Sequence, residues 1–179
     1  LPAGIGMATA KSIIKLWLGF PARYSGVFSA GNGPAMRSSL LGIVFADDME
    51  KLKTFVHRST RITHTDPKAY FGALTIALAA RQSVIAKDIT ASDFFYLVSK
   101  ELEDQQSLEF ERLLQTVIDS VQRGESLAQF VELVGCKKGI SGYMYHTVPC
   151  VIHCWLSHQQ NFQSGLEELI AAGGDTDTT

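Results

Sequence analysis

Several scarcities in the sequence narrow what the protein can be. Positive charge is not in excess: 16 Lys and Arg stand against 18 Asp and Glu, a formal net charge of -2 at pH 7. The basic residues are scattered rather than banded, so no field gathers nucleic acid, and none is expected as a partner. Long apolar runs are missing too. None approaches the roughly 20 residues that span a bilayer, and Lys11 and Lys15 interrupt the N-terminal stretch GIGMATAKSIIKLWLGF, which argues against a secretory core segment and a membrane anchor. Cysteine is sparse: Cys136, Cys150 and Cys154 form neither an even framework nor a C-x-x-C pair, as expected in a reducing compartment. The reading is a cytoplasmic protein whose oligomeric state the sequence leaves open. Alternation of period two, the mark of a half-buried strand, is also absent.

Apolar residues at spacings of three and four recur instead almost throughout, so the expected class is all-α. With 179 residues, 46% hydrophobic and 19% charged, the chain can bury a substantial core as one domain spanning residues 1–179. No repeat, linker or low-complexity tract divides it. The spacing predicts a helix over 7–18 that buries Ile13, Ile14, Trp17 and Leu18 and stops at Gly19. A second begins at Pro34 and runs to about Ala46 through Met36, Leu40, Leu41 and Val44. A third runs from Asp48 to about His57. Asp66 and Pro67 form an N-cap and first-turn pair for AYFGALTIALAA, whose small side chains suit close contact, making it the helix expected to be most buried. Thr90 to Asp93, SLEFERLLQTVIDSVQRG, SLAQFVELV, GYMYHTVPCVIHCWLSH and FQSGLEELIAA supply further helices, with Gly124, Gly135 and the Gly173–Gly174 pair as stops.

Four stretches bear on chemistry. In AGNGPAMR, residues 30–37, Gly31 and Gly33 remove β-carbons on both sides of Asn32, so backbone N–H groups can approach a ligand. A helix starting at Pro34 aims its positive end at the same point, which suits a phosphate or pyrophosphate. A plain turn into a helix wants the same residues. The loop is neither a dinucleotide fingerprint, since no strand precedes it, nor a P-loop, since G-K-[ST] is absent. Arg37, one turn in, either forks onto an anion or supports the loop.

In GGDTDTT, Asp175 and Asp177 with the hydroxyls of Thr176, Thr178 and Thr179 offer hard oxygen ligands of the kind Mg²⁺, Mn²⁺ or Ca²⁺ prefers, though two carboxylates do not complete an octahedral site. The alternative is a polar, frayed terminus. In THTDP, His64 is either a ligand contact or a local hydrogen-bonder beside the Asp66 cap. His146, Cys150, His153 and Cys154 nearly share one helical face, which invites zinc. Pro149 and the interleaved apolar residues point instead to a buried helix with inert thiols, because structural zinc sites draw on two elements.

The order AGNGPAMR, THTDPKA, SGYMYHTVP, AAGGDTDTT resembles the ADP-ribosylglycohydrolase family, over nearly the whole chain, with GNGPAMR and GGDTDT the most specific motifs. The resemblance implies an all-α domain with two Mg²⁺ or Mn²⁺ ions in a cleft, hydrolysing the bond between the distal ribose of ADP-ribose and an acceptor side chain or conjugate. It places Gly31, Asn32, Gly33, Pro34, Ala35 and Met36 around the phosphates and ribose, and His64 at the pocket's edge. Tyr143 falls on the adenosine side, and Asp175, Asp177 and Thr178 among the metal ligands. It also implies that the chain is the later part of such a domain, without the upstream G-D-x-x-G and Thr-Asp-Asp half-site, the acidic residue that handles water, and the final helices. The catalytic residues are therefore unassigned. A non-catalytic ADP-ribose-binding module is the competing expectation.

Overall fold

Proline and small residues set the frame of this fold. In the computed structural model, which describes residues 6–86, 88–102 and 105–175, Asp66 caps the helix Pro67–Ile85 by accepting a hydrogen bond from Lys68 N–H at 2.9 Å. The described helices are α1 (Met7–Trp17), α2 (Ala22–Ser25), α3 (Gly33–Val44), α4 (Met49–Thr63), α5 (Pro67–Ile85), α6 (Ala91–Leu102), α7 (Leu108–Gln122), α8 (Leu127–Leu133), α9 (Met144–Ser157) and α10 (Phe162–Ala172). A 3₁₀ turn, Gln105–Ser107, leads into α7. Among the described residues extended pairing is limited to isolated bridges. The class is all-α, and α5 is the central helix, touching α3, α4, α6 and α9.

Side-chain size decides which helices meet. Gly42 on α3 faces the Ala77 carbonyl so closely that a β-carbon there would collide with backbone. The pair α3 and α5 is accordingly the most extensive helix contact among the described residues. Gly72 on α5 makes room in the same way for the Met144 side chain at the start of α9. The first contact seats α3 near its end and the second seats the beginning of α9, and the site is built from these two helices. The core continues through Leu74, Phe94, Phe110, Leu114, Phe130 and Ile152, all fully buried.

The buried face of α1 and the end of α4 differ from expectation. α1 forms over nearly the expected range, but its large side chains are not its buried face: Trp17 is 76% and Leu18 72% exposed, Ile14 is exposed, Ile13 is only half-buried, and Ala10 and Ser12 are buried instead. α3 likewise turns Pro34, Ala35, Ser38 and Gly42 inward and leaves Met36, Leu40 and Val44 exposed. In both helices contact with the neighbour is made through small residues, which allow close approach. α4 runs six residues past its expected end at His57, to Thr63, which carries the chain straight to His64. The short α2 had no periodic signal to announce it. Pro149 lies inside α9 without ending it. Among the described residues no helix is long and apolar enough to cross a membrane.

Candidate functional site

Four separate segments converge at the start of α3. Three isolated bridges stitch them: Val27 with His64, Gly31 with Tyr143, and Ile140 with Gly174. Asn32 N–H donates to Gly142 O at 2.9 Å, Met144 N–H to Ala30 O at 2.8 Å, and Asp175 N–H to Ile140 O at 2.7 Å. Gly174 makes the last of these turns possible, because its φ of 94° and its contact with the Ile140 backbone leave no place for a side chain. The result is a cavity of about 710 Å³ whose walls include Gly31, Asn32, Gly33, His64, Gly142 and Asp175. Residues from AGNGPAMR, THTDPKA, SGYMYHTVP and AAGGDTDTT thus share one place, and the volume suits a ligand of nucleotide size.

His64 lies beneath the loop. It is 3% exposed, and its Nδ1 is 2.8 Å from Thr63 Oγ1. That hydroxyl already accepts from Arg37 Nη2 at 2.6 Å, and its other neighbour, the Thr60 carbonyl, is 3.5 Å away. The shorter Nδ1 contact favours Thr63 donating to Nδ1 over Thr60 O, an arrangement in which Nε2 carries the proton on the loop side. Burial, aided by the nearby Arg37 charge, lowers the His64 pKa to about 4, so the ring is neutral near pH 7. A neutral imidazole here offers a hydrogen bond and not a charge.

The two loop glycines serve a purpose the sequence did not disclose. A β-carbon on Gly31 would lie 3.0 Å from His64 Nε2, and one on Gly33 would lie 3.4 Å from His64 Cε1. Neither has a positive φ. They clear space for the imidazole, and the backbone donors of the loop are mostly taken. Gly31 N–H reaches Ser29 Oγ, Asn32 N–H reaches Gly142, and Ala35 and Met36 N–H both return to Asn32 O. Gly33 N–H has no partner among the described residues, and it stands at the positive end of α3.

Arg37 supports the loop while keeping a charge there. Nε donates to Ser59 Oγ at 3.0 Å, Nη1 to Gly33 O at 3.1 Å, and Nη2 to Ser59 O and Thr63 Oγ1. A second Nη1 hydrogen is left without a partner among the described residues, and no carboxylate pairs with the guanidinium there. Burial lowers its pKa from the ordinary value, yet an arginine stays protonated. The half-buried cation and the Gly33 N–H together favour an anion.

The remaining expected residues divide. Asn32 is 7% exposed, and its Nδ2 donates to Thr147 Oγ1 at 3.0 Å, fixing the side chain across 115 residues of sequence. Pro34 and Ala35 are buried against the core, so they shape the wall from behind, whereas Met36 lines the cavity directly. Asp175 is on the wall, its Oδ2 at 2.6 Å from where a Gly142 β-carbon would stand. Asp177 and Thr178 lie outside the described residues. Tyr143 contributes backbone to the loop bridge, but its ring lines a second cavity of about 640 Å³ with Tyr145, His146 and Glu109. There Lys68 Nζ lies 4.7 Å from the Tyr145 ring centre and donates to Tyr143 Oη at 3.3 Å. The buried Tyr145 hydroxyl has no partner among the described residues.

Sequence reasoning missed Thr147, Ser59, Thr63 and Gly142, which hold Asn32 and Arg37 in place. Their partners are distant in sequence and no local pattern marks them. For the expected metal pair the fit is incomplete: Asp175 is the one carboxylate lining the cavity among the described residues, and two adjacent ions need several. The candidate metal-binding cluster among the described residues lies elsewhere, at Cys154, His158 and Glu168.

An all-α fold gathers a glycine-flanked helix start, a buried neutral histidine and a C-terminal aspartate around one cavity. Residues 1–179 match the ADP-ribosylglycohydrolase family, and the chain belongs to it. It is 27% identical over 174 residues to an uncharacterized protein of Archaeoglobus fulgidus, covering 97% of this chain and 54% of that protein. It is 27% identical over 185 residues to ADP-ribosylhydrolase ARH3 of Gallus gallus, covering 88% of this chain and 48% of that protein. The chain spans about half the length of these curated relatives.

Proposed function

We propose that this chain carries the phosphate and ribose cradle of a hydrolase that removes ADP-ribose from a modified acceptor, by metal-dependent cleavage of the glycosidic bond. The observation that supports it most is the convergence of loop 30–33, His64, Gly142 and Asp175 on one cavity, in a member of the ADP-ribosylglycohydrolase family. The pyrophosphate sits against Gly33 N–H at the start of α3, with Arg37 compensating its charge from behind. The neutral His64 Nε2–H and the Asn32 side chain face ribose hydroxyls. Asp175 stays clear of the phosphates, since two negative groups repel, and turns to the distal ribose or to a Mg²⁺ or Mn²⁺ ion shared with Asp177 and Thr178. The adenosine end passes the Gly31–Tyr143 bridge into the second cavity, where Tyr143 offers a ring face.

One observation favours a second reading, a module that binds ADP-ribose without hydrolysing it. Glycosidic hydrolysis uses a pair of carboxyl groups about the scissile bond, and only Asp175 lines the cavity among the described residues. The two readings separate in one assay: incubate the 179-residue chain with ADP-ribosylated arginine or serine peptide and Mg²⁺ or Mn²⁺. Metal-dependent release of ADP-ribose supports the hydrolase. Binding of ADP-ribose without release, in the presence of either metal, establishes the module and overturns hydrolysis by this chain.

A further inference from the structure

The junction of α9 and α10 holds a donor set that neither cavity uses. Cys154 and His158 are one turn apart at the end of α9, and Glu168 reaches them from α10. One donor atom from each lies within 4.8 Å of the others. None of the three lines either cavity described above.

The surroundings hold these groups in place. Glu168 Oε1 accepts Leu127 N–H at 3.0 Å, which ties it to the start of α8, while Oε2 pairs with His158 Nε2 at 2.7 Å. The Cys154 thiol donates to Gly165 O at 3.1 Å. A β-carbon at Gly165 would sit 3.3 Å from both Cys154 Sγ and His158 Cβ, so the two helices are at their limit of approach. Asn161 closes the turn between them by accepting Ser164 N–H at 3.1 Å. Burial keeps the free thiol protonated, with a pKa pushed up to about 11.

We propose that Cys154, His158 and Glu168 form a binding site for a zinc-type divalent cation, separate from the ADP-ribose cavity. Thiolate, imidazole and carboxylate drawn from two helices are a borderline-soft set that selects zinc over magnesium. Metal–ligand bonds of about 2.0–2.3 Å place tetrahedral donors closer together than 4.8 Å, so the side chains close by about 1 Å on binding. The cation replaces the thiol proton, which passes to solvent, and the proton shared by His158 and Glu168. Three protein ligands leave a fourth position for water. Because α10 runs directly into Gly173–Asp175, such a clamp fixes the segment that presents Asp175 to the cavity.

The test is a Co²⁺ titration of the full chain under reducing conditions, read by thiolate-to-cobalt charge-transfer absorption and followed by Zn²⁺ displacement. One equivalent of Co²⁺ should give the band and Zn²⁺ should remove it. Cys154→Ser should abolish the band, and Glu168→Gln should weaken binding roughly tenfold or more. His146→Ala should leave it unchanged. Helical circular dichroism establishes that each variant is folded, and Glu168→Gln carries the comparison if Cys154→Ser is not. Absence of the band in the unaltered chain, its survival in folded Cys154→Ser, or unchanged affinity in folded Glu168→Gln overturns the site.

Discussion

At the scale of single residues, His64 and the glycines above it form one device. Gly31→Ala puts a methyl group 3.0 Å from His64 Nε2, so the ring must give way. ADP-ribose affinity should fall roughly tenfold or more while the melting temperature falls only a few degrees. Calorimetry and thermal melts of the same sample read the two, and unchanged affinity would show that the ring's position is irrelevant to binding. His64 also links stability to acid. Its folded pKa, about 4, lies below the usual histidine value, so the unfolded chain binds the proton more readily. The stabilising contribution is complete above pH 6.5 and is lost as pH falls from there toward 4, at most roughly 3 kcal/mol. His57 and His153 act in the same direction, so the informative quantity is the difference between the parent and His64→Gln. Denaturant unfolding at pH 7 and pH 5 should show a shallower pH dependence in the variant. Equal slopes would contradict a buried, neutral His64.

At the scale of elements, most helices were legible from spacing and caps, but their buried faces were not. Asp66 and Pro67 mark α5 unambiguously, because an N-cap acceptor and a proline at the first turn are local chemistry. On α1 the small Ala10 and Ser12 are buried rather than the large side chains expected, and α3 approaches α5 through Gly42 and Ala35 and keeps Leu40 outside. Contact of this kind depends on the partner's shape, which no single helix sequence contains. Gly42→Ala should therefore cost on the order of 3 kcal/mol, since the obstacle is the Ala77 carbonyl and not a side chain that can rotate away. Asp66→Ala should cost only about 1 kcal/mol, the usual loss for an N-cap. Chemical denaturation compares the two, and the reverse order would refute this account of how α3 is seated.

At the scale of the molecule, the site was legible as a set of stretches and not as a geometry. AGNGPAMR and the aspartate of GGDTDTT were visible as candidates, while the bonds that join them run through Gly142, Ile140 and Thr147, residues with no chemical signature of their own. The surface carries a further consequence. Trp17, Leu18, Leu40 and Val44 are exposed apolar side chains on α1, its end and α3, the kind of surface that favours association where it is contiguous. The isolated 179-residue chain should associate with itself as its concentration rises, and Trp17→Glu with Leu40→Glu should reduce this in sedimentation velocity. A parent chain that stays monomeric at high concentration would contradict it. The central claim, that loop 30–33, His64 and Asp175 enclose an ADP-ribose pocket, is tested most directly by titrating ADP-ribose into the chain by calorimetry, with and without Mg²⁺, beside Gly31→Ala. Saturable one-to-one binding that weakens in the variant is the predicted result. No heat of binding under either condition, or equal binding by a folded variant, would contradict it.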